Sequence, residues 1–223
     1  PVVDHEDRLV GIVTIDDIVG VMEEEDTEDF EKMAAMLPSE KPYLKTGIME
    51  LAKNRIIWLV VLMISDMFTG GILSNYEQAF VVLPILVTFV PMIMGTGGNA
   101  GSQSSTMVIR GMAVGEIEPK DAWRVIMKEG MVSVLVGLVL GIVNFIRLII
   151  MYPGQYMIAL TVMLSLLGTV IMAKIVGGVL PLIAKLCKGD PALMAAPLIT
   201  TIVDACSLMI YFHIAIRLLS ELK

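Results

Sequence analysis

The chain's 223 residues are 56 % hydrophobic and 17 % charged, with mean hydropathy +0.80. That lies outside the soluble globular range and reads as an integral membrane protein. The net charge of −7 excludes a basic footprint for nucleic acid, and Cys187 and Cys206, in separate apolar segments, form neither a disulfide framework nor a zinc site.

No cleavable signal peptide opens the chain, and a proline at residue 1 in a β-prone run is expected to lie inside a longer protein. Pro1 to Asp4 and Leu9 to Thr14 are short β-prone runs separated by a charged turn, His5 to Arg8. Thr14 or Asp16 then caps an expected helix from Ile15 to Glu25. The pattern PVVD…RLVGIVTIDDIVGVM resembles the C-terminal end of a CBS domain, a module that in pairs binds nucleotides or ions and gates its partner. This piece is too short for a core of its own, so it is expected to be disordered or to pack on something else. An acidic run, Glu23 to Glu31, reads as a solvated linker or as a divalent-cation sensor surface. Tyr43 to Arg55 places Leu44, Ile48, Leu51 and Ala52 on one face, with Lys41, Lys45, Lys53 and Arg55 nearby. The spacing predicts an amphipathic connecting helix at the cytoplasmic interface.

Five apolar segments follow, near 55–74, 79–108, 122–151, 156–186 and 192–219, each near the roughly 20 residues a helix needs to cross the bilayer. The second, third and fourth exceed that minimum and are expected to be tilted, broken or extended beyond the lipid. Lys and Arg crowd before the first span, between the second and third (Arg110, Lys120, Arg124, Lys128) and between the fourth and fifth (Lys185, Lys188). The loops Ser74 to Gln78 and Tyr152 to Gln155 carry none. The positive-inside rule therefore puts the N-terminus in the cytoplasm and the C-terminus outside. The expected class is an all-α membrane protein. It divides into 1–25 (CBS remnant), 26–54 (acidic linker and connecting helix) and 55–223 (five-span domain). It is expected in the cell membrane, a bacterial inner membrane.

Polar groups inside these spans are costly and mark functional sites. The second span carries Pro91 to Thr106, PMIMGTGGNAGSQSST. A helix broken there by Gly and Pro must lie against protein or a water-filled cavity. Gly95, Gly97, Gly98 and Gly101 allow close helix packing, while Asn99 and Gln103 offer amides that packing alone does not need. Asp204 lies mid-span, one turn from Thr200 and Thr201, with no basic residue near in sequence. Asp66 in the first span is either a second ion ligand or a water contact. Glu116 and Glu118 are placed at the cytoplasmic mouth, and Glu129 is either a ligand or a partner for a basic residue. Lys174 is expected to snorkel or to pair with a carboxylate, with snorkelling preferred, and His213 is expected to be interfacial. Carboxylates, amides and hydroxyls without thiolate or imidazole favour Mg²⁺, Ca²⁺ or Mn²⁺.

The run PMIMGTGGNAGSQSST followed by VIRGMAVGEI, and later GDPALMAAPLITTIVDACSLMIYF, resembles the MgtE family of magnesium channels and transporters. The resemblance covers essentially the whole chain. It implies a homodimer in membrane lipid, with one central pore lined by the second and fifth helices of both subunits. Asp204 matches the family's central acidic residue, which holds hydrated Mg²⁺, and Asn99 and Gln103 match the motif on the second helix. In the family, cytosolic Mg²⁺ bound between CBS domains and connecting helix closes the pore. The expected function is Mg²⁺ transport, with Mn²⁺ or Ca²⁺ as substitutes. The metal site would draw on Asp204, Thr200, Thr201, Asn99, Gln103, Gly97, Gly98, Asp66, Glu116 and Glu129. The alternative is a Na⁺- or H⁺-coupled divalent cation transporter. An aspartyl protease with Asp66 and Asp204 as its dyad lacks the usual Gly-x-Gly-Asp context at both positions, and a mere anchor or sensor leaves the polar-lined spans unexplained. The chain is not expected to be an enzyme.

Overall fold

The computed structural model describes residues 1–39, 41–194 and 196–222. The fold is helical apart from a small antiparallel hairpin, β1 (Val2–Val3) with β2 (Leu9–Gly11). Helix α1 (Ile15–Met33) starts at a capping box. The Thr14 N–H donates to Asp17 Oδ2 at 2.9 Å, and the Asp17 N–H donates to Thr14 Oγ1 at 3.4 Å. The helix runs past the expected end at Glu25 and carries the acidic run as largely exposed helix. Glutamate is a good helix former, and a Lys32–Glu28 ion pair (2.5 Å) braces the last turn.

None of the residues of α1 is buried, yet its end is docked. Lys32 reaches Asp190 at 2.7 Å, in the loop before the 3₁₀ turn Pro191–Met194. Hydrogen bonds to Asp190 and Glu28 hold the Lys32 ammonium well above the usual lysine range. Burial opposes ionisation of Asp190, but the Lys32 hydrogen bond, the Ala192 N–H and the Lys32 charge outweigh it and lower its pKa. Burial, then the Asp190 charge, pushes the neighbouring Asp29 up. The N-terminal piece therefore packs on the bundle through this end of α1.

The membrane part is built from α2 (Ile48–Ser74), α4 (Val90–Ala113), α5 (Ala122–Met151), α6 (Tyr156–Leu186) and α7 (Ala196–Leu218), with a short α3 (Glu77–Val82) between α2 and α4. Four helical segments among the described residues are long and apolar enough to cross a bilayer: Ile48–Ser74, Pro119–Met151, Tyr156–Leu186 and Pro191–Leu218. The chain is thus a multi-pass membrane protein. Residue 195, inside the span expected at 192–219, lies outside the described residues.

The amphipathic helix expected over 43–55 as an element before the first span starts later and is continuous with that span. A 3₁₀ turn, Tyr43–Lys45, is followed by one continuous α2 of 27 residues, because no Gly or Pro interrupts 48–69. The segment 79–108 is broken, one of the outcomes expected of it, but the break does not fall in the glycine motif. Pro84 lacks a donor and forces Leu83 to φ −131°, ψ 80°, which ends α3, and a 3₁₀ turn (Pro84–Phe89) leads into α4. The break therefore precedes the glycine-rich motif, which is continuous helix. Pro91 sits in the first turn of α4, where its missing N–H costs nothing.

Helix α4 is the centre of the bundle, packed on α6 and α7; α5 lies on α6, and α2 on α7. Glycines bring the backbones together. A Cβ at Gly177 would overlap the Gly101 carbonyl, and one at Gly97 would meet Thr169 Cγ2 at 2.6 Å. At one end Leu86, Phe89, Ile93, Val162, Leu208, Tyr211 and Phe212 form the main apolar cluster. There the Tyr211 hydroxyl donates to Leu86 O at 3.0 Å, and Tyr76 stacks on Phe212 with centroids 4.4 Å apart.

Candidate functional site

A helix with an inward stripe of glycine must put its other residues elsewhere. Gly97, Gly98 and Gly101 face α6 and α7, with Gly98 against Thr200. Gly95, Asn99, Gln103, Thr106 and Arg110 recur at helical spacing on the opposite, exposed face of α4. An open stripe of this polarity is unsuited to hydrocarbon.

Asp204 stands half-buried on α7. The charge of Asp66, on the exposed side of α2, acts on the Asp204 carboxylate, so the structure brings these two predicted residues into electrostatic range. Among the described residues Asp204 makes no ion pair with Lys, Arg or His. The Thr200 and Thr201 hydroxyls donate to Pro197 O at 2.9 and 3.1 Å, so only their lone pairs remain for a ligand. Glu116 is exposed in the turn beyond α4, where its N–H closes the helix end on Gly111 O (2.8 Å).

Asn99 and Gln103 line a different space. A cleft of about 790 Å³ is bounded by Asn99, Ser102, Gln103 and Thr106 on α4, Glu129 on α5 and Lys174 on α6. Asp204 does not line it. Glu129 accepts from Ser104 Oγ at 2.5 Å and lies 3.8 Å from Lys174 Nζ. The reading of Glu129 as a basic residue's partner therefore matches the geometry. Of the two expectations for Lys174, pairing with a carboxylate matches the geometry and the preferred one, snorkelling, is corrected, since the residue is only 5 % exposed. It lies twelve residues from the end of α6 at Leu186, about 18 Å along the axis, too far for its stem to reach the end of the helix. That spacing was readable in the sequence; Ser104 as the bridge was not.

The family described as MgtE, divalent cation transporter, matches residues 90–214. The "Magnesium transporter MgtE" of Thermus thermophilus is 39 % identical over 221 residues, covering 99 % of this chain and 48 % of that protein. Its namesake in Bacillus subtilis is 37 % identical over 222 residues, 100 % of this chain and 49 % of the relative. That of Enterococcus faecalis is 33 % identical over 218, 96 % and 47 %. The chain thus spans about half the length of these relatives, which are named as transporters and not as enzymes. The match runs from the first turn of α4 through the Asp204 turn of α7, the helices that carry the polar stripe and the lone carboxylate. The chain belongs to the MgtE family of divalent cation transporters.

Proposed function

We propose that this chain carries Mg²⁺ across the membrane through a pore between two copies of itself. The observation that carries the reading is Asp204, a carboxylate inside a membrane helix with no basic partner among the described residues. Such a charge calls for a mobile cation. A second copy related by a two-fold axis covers the polar stripe Gly95–Asn99–Gln103–Thr106, turns it into a wall, and sets two Asp204 side chains across that axis. Mg²⁺ gives up its waters reluctantly, so the site is read as wide. Asp204 supplies charge, with Asp66 beside it, and the Asn99 and Gln103 carbonyls accept hydrogen bonds from the ion's water shell.

In this reading α2, the α3–α4 segment, α5, α6 and α7 make five spans. The N-terminus is cytoplasmic and the C-terminus outside. Residues 1–25 are the end of a CBS domain, 26–54 a cytoplasmic connection and 55–223 the conducting part. Entry of two charges into a negative-inside cell is favoured by about 4.6 kcal/mol per 100 mV, enough to drive uptake without a coupled ion. The family and the relatives' names support Mg²⁺ as cargo. Mn²⁺ and Ca²⁺, with the same oxygen preference, are expected to substitute less well.

The test is Mg²⁺ uptake by proteoliposomes at an imposed potential, wild type against Asp204→Ala. Loss of uptake is expected, and unchanged uptake overturns the reading. A requirement for a Na⁺ or H⁺ gradient would replace the passive pore with a coupled transporter.

A further inference from the structure

Lys174 is a buried charge that the transport reading does not use. Its ammonium donates to Ser104 Oγ at 3.2 Å and lies 3.8 Å from Glu129 Oε2. Ser104 spends its one proton on Glu129 at 2.5 Å, an arrangement that suits an ionised carboxylate and an ionised lysine. Glu129 folds over Gly178 of α6, where an added Cβ would meet its Cγ at 3.3 Å. The glutamate is thus held at one wall of the cleft.

The cleft is far larger than this pair needs. About 790 Å³ has room for on the order of twenty waters at the liquid volume. Its donors are one carboxylate, the amide oxygens of Asn99 and Gln103, and the hydroxyls of Ser102 and Thr106. That is the oxygen set hard divalent cations take. The cation in place is a lysine. A buried ion pair gives little net stability over an apolar replacement, so stability does not explain it.

We infer that Lys174 is a tethered counter-ion, which keeps a divalent-cation site centred on Glu129 closed to the transported ion. The inference rests on the reading that divalent cations pass along the polar face of α4. A permeating ion must bind weakly enough to leave, and a carboxylate-lined side cleft opening on that face would retain it. Lys174 cancels the cleft's charge while the Asn99 and Gln103 amides stay available. It acts as a specificity-determining residue.

The test uses the full-length protein in detergent, in an Asp204→Asn background, with Mn²⁺ as probe and electron paramagnetic resonance of free Mn²⁺ as readout. Lys174→Met and Lys174→Gln are each expected to bind about one further Mn²⁺ per chain. Mn²⁺ should also raise their thermal midpoints but not that of the parent. Adding Glu129→Gln should abolish both effects. No extra Mn²⁺ in either Lys174 variant, or extra Mn²⁺ surviving Glu129→Gln, overturns the inference. Should both variants fail to fold, recovery by Mn²⁺ during purification supports it and failure of recovery overturns it. Mg²⁺ uptake by wild-type proteoliposomes is scored separately, so loss of the transport reading is distinguishable from loss of this one.

Discussion

At Gly177 the side chain is absent because a backbone carbonyl occupies its place. An added Cβ would overlap Gly101 O, and unlike a flexible side chain that carbonyl has nowhere to swing. Gly177→Ala is therefore expected to force α6 from α4, with an overpacking cost of about 1–3 kcal/mol seen as a lower thermal midpoint. Gly70, with nothing within 4 Å of its would-be Cβ, serves as the control. Gly70→Ala should leave the midpoint level or raise it, because alanine is the better helix former. Equal behaviour of the two variants would remove the packing argument. Gly97, Gly98 and Gly101 were legible as packing residues from their spacing, while Gly95, expected with them, is exposed and meets nothing within the chain. Which of them touch what was not, because each contact belongs to two helices far apart in sequence. Gly98 meeting Thr200 and Gly101 meeting Ala173 O leave no trace in the α4 segment itself.

Among the elements, α1 shows how an exposed helix is held by one end. Its last turn hangs on Lys32 and Asp190. Because the pKa of Asp190 is lowered in the fold, its contribution is complete above the ordinary Asp range near 4 and is lost as pH falls through the lowered value. Acidification, or Asp190→Asn at neutral pH, should therefore speed hydrogen exchange over residues 15–33 while α5 and α6 stay protected. Salt should act in the same direction, since the pair is partly exposed. Unchanged exchange in Asp190→Asn would show that the docking rests on other contacts. Hydropathy located α5 and α6 with the expected ends, 122–151 and 156–186. It misplaced the start of α2, since a basic, amphipathic approach and an apolar span look separate in composition yet join in one uninterrupted hydrogen-bond ladder.

For the whole molecule, the open polar stripe on α4 and the nearly bare α2 ask for cover. The pore reading supplies a second copy. Gly95→Cys, placed where an added Cβ meets nothing within the chain, with Cys187→Ser and Cys206→Ser to remove the native thiols, is expected to give a disulfide-linked dimer in native membranes. A product that stays monomeric under oxidation would overturn the symmetric pore. Under that reading, a dimer would bring together Asn99, Gln103 and Asp204, which do not converge on one cavity within a single chain.

Composition and hydropathy by themselves determined a helical membrane protein. The residue types of its polar motifs fixed the family and the hard-oxygen chemistry, because these depend on what each segment contains. Only the tertiary structure decided that Glu129 answers to Lys174 through Ser104, that Lys174 stays buried, and that the chain breaks at Leu83–Pro84 before the glycine motif and not within it. Pairing of side chains on different helices is set by the angle and depth at which those helices cross. No local pattern of residues encodes that crossing.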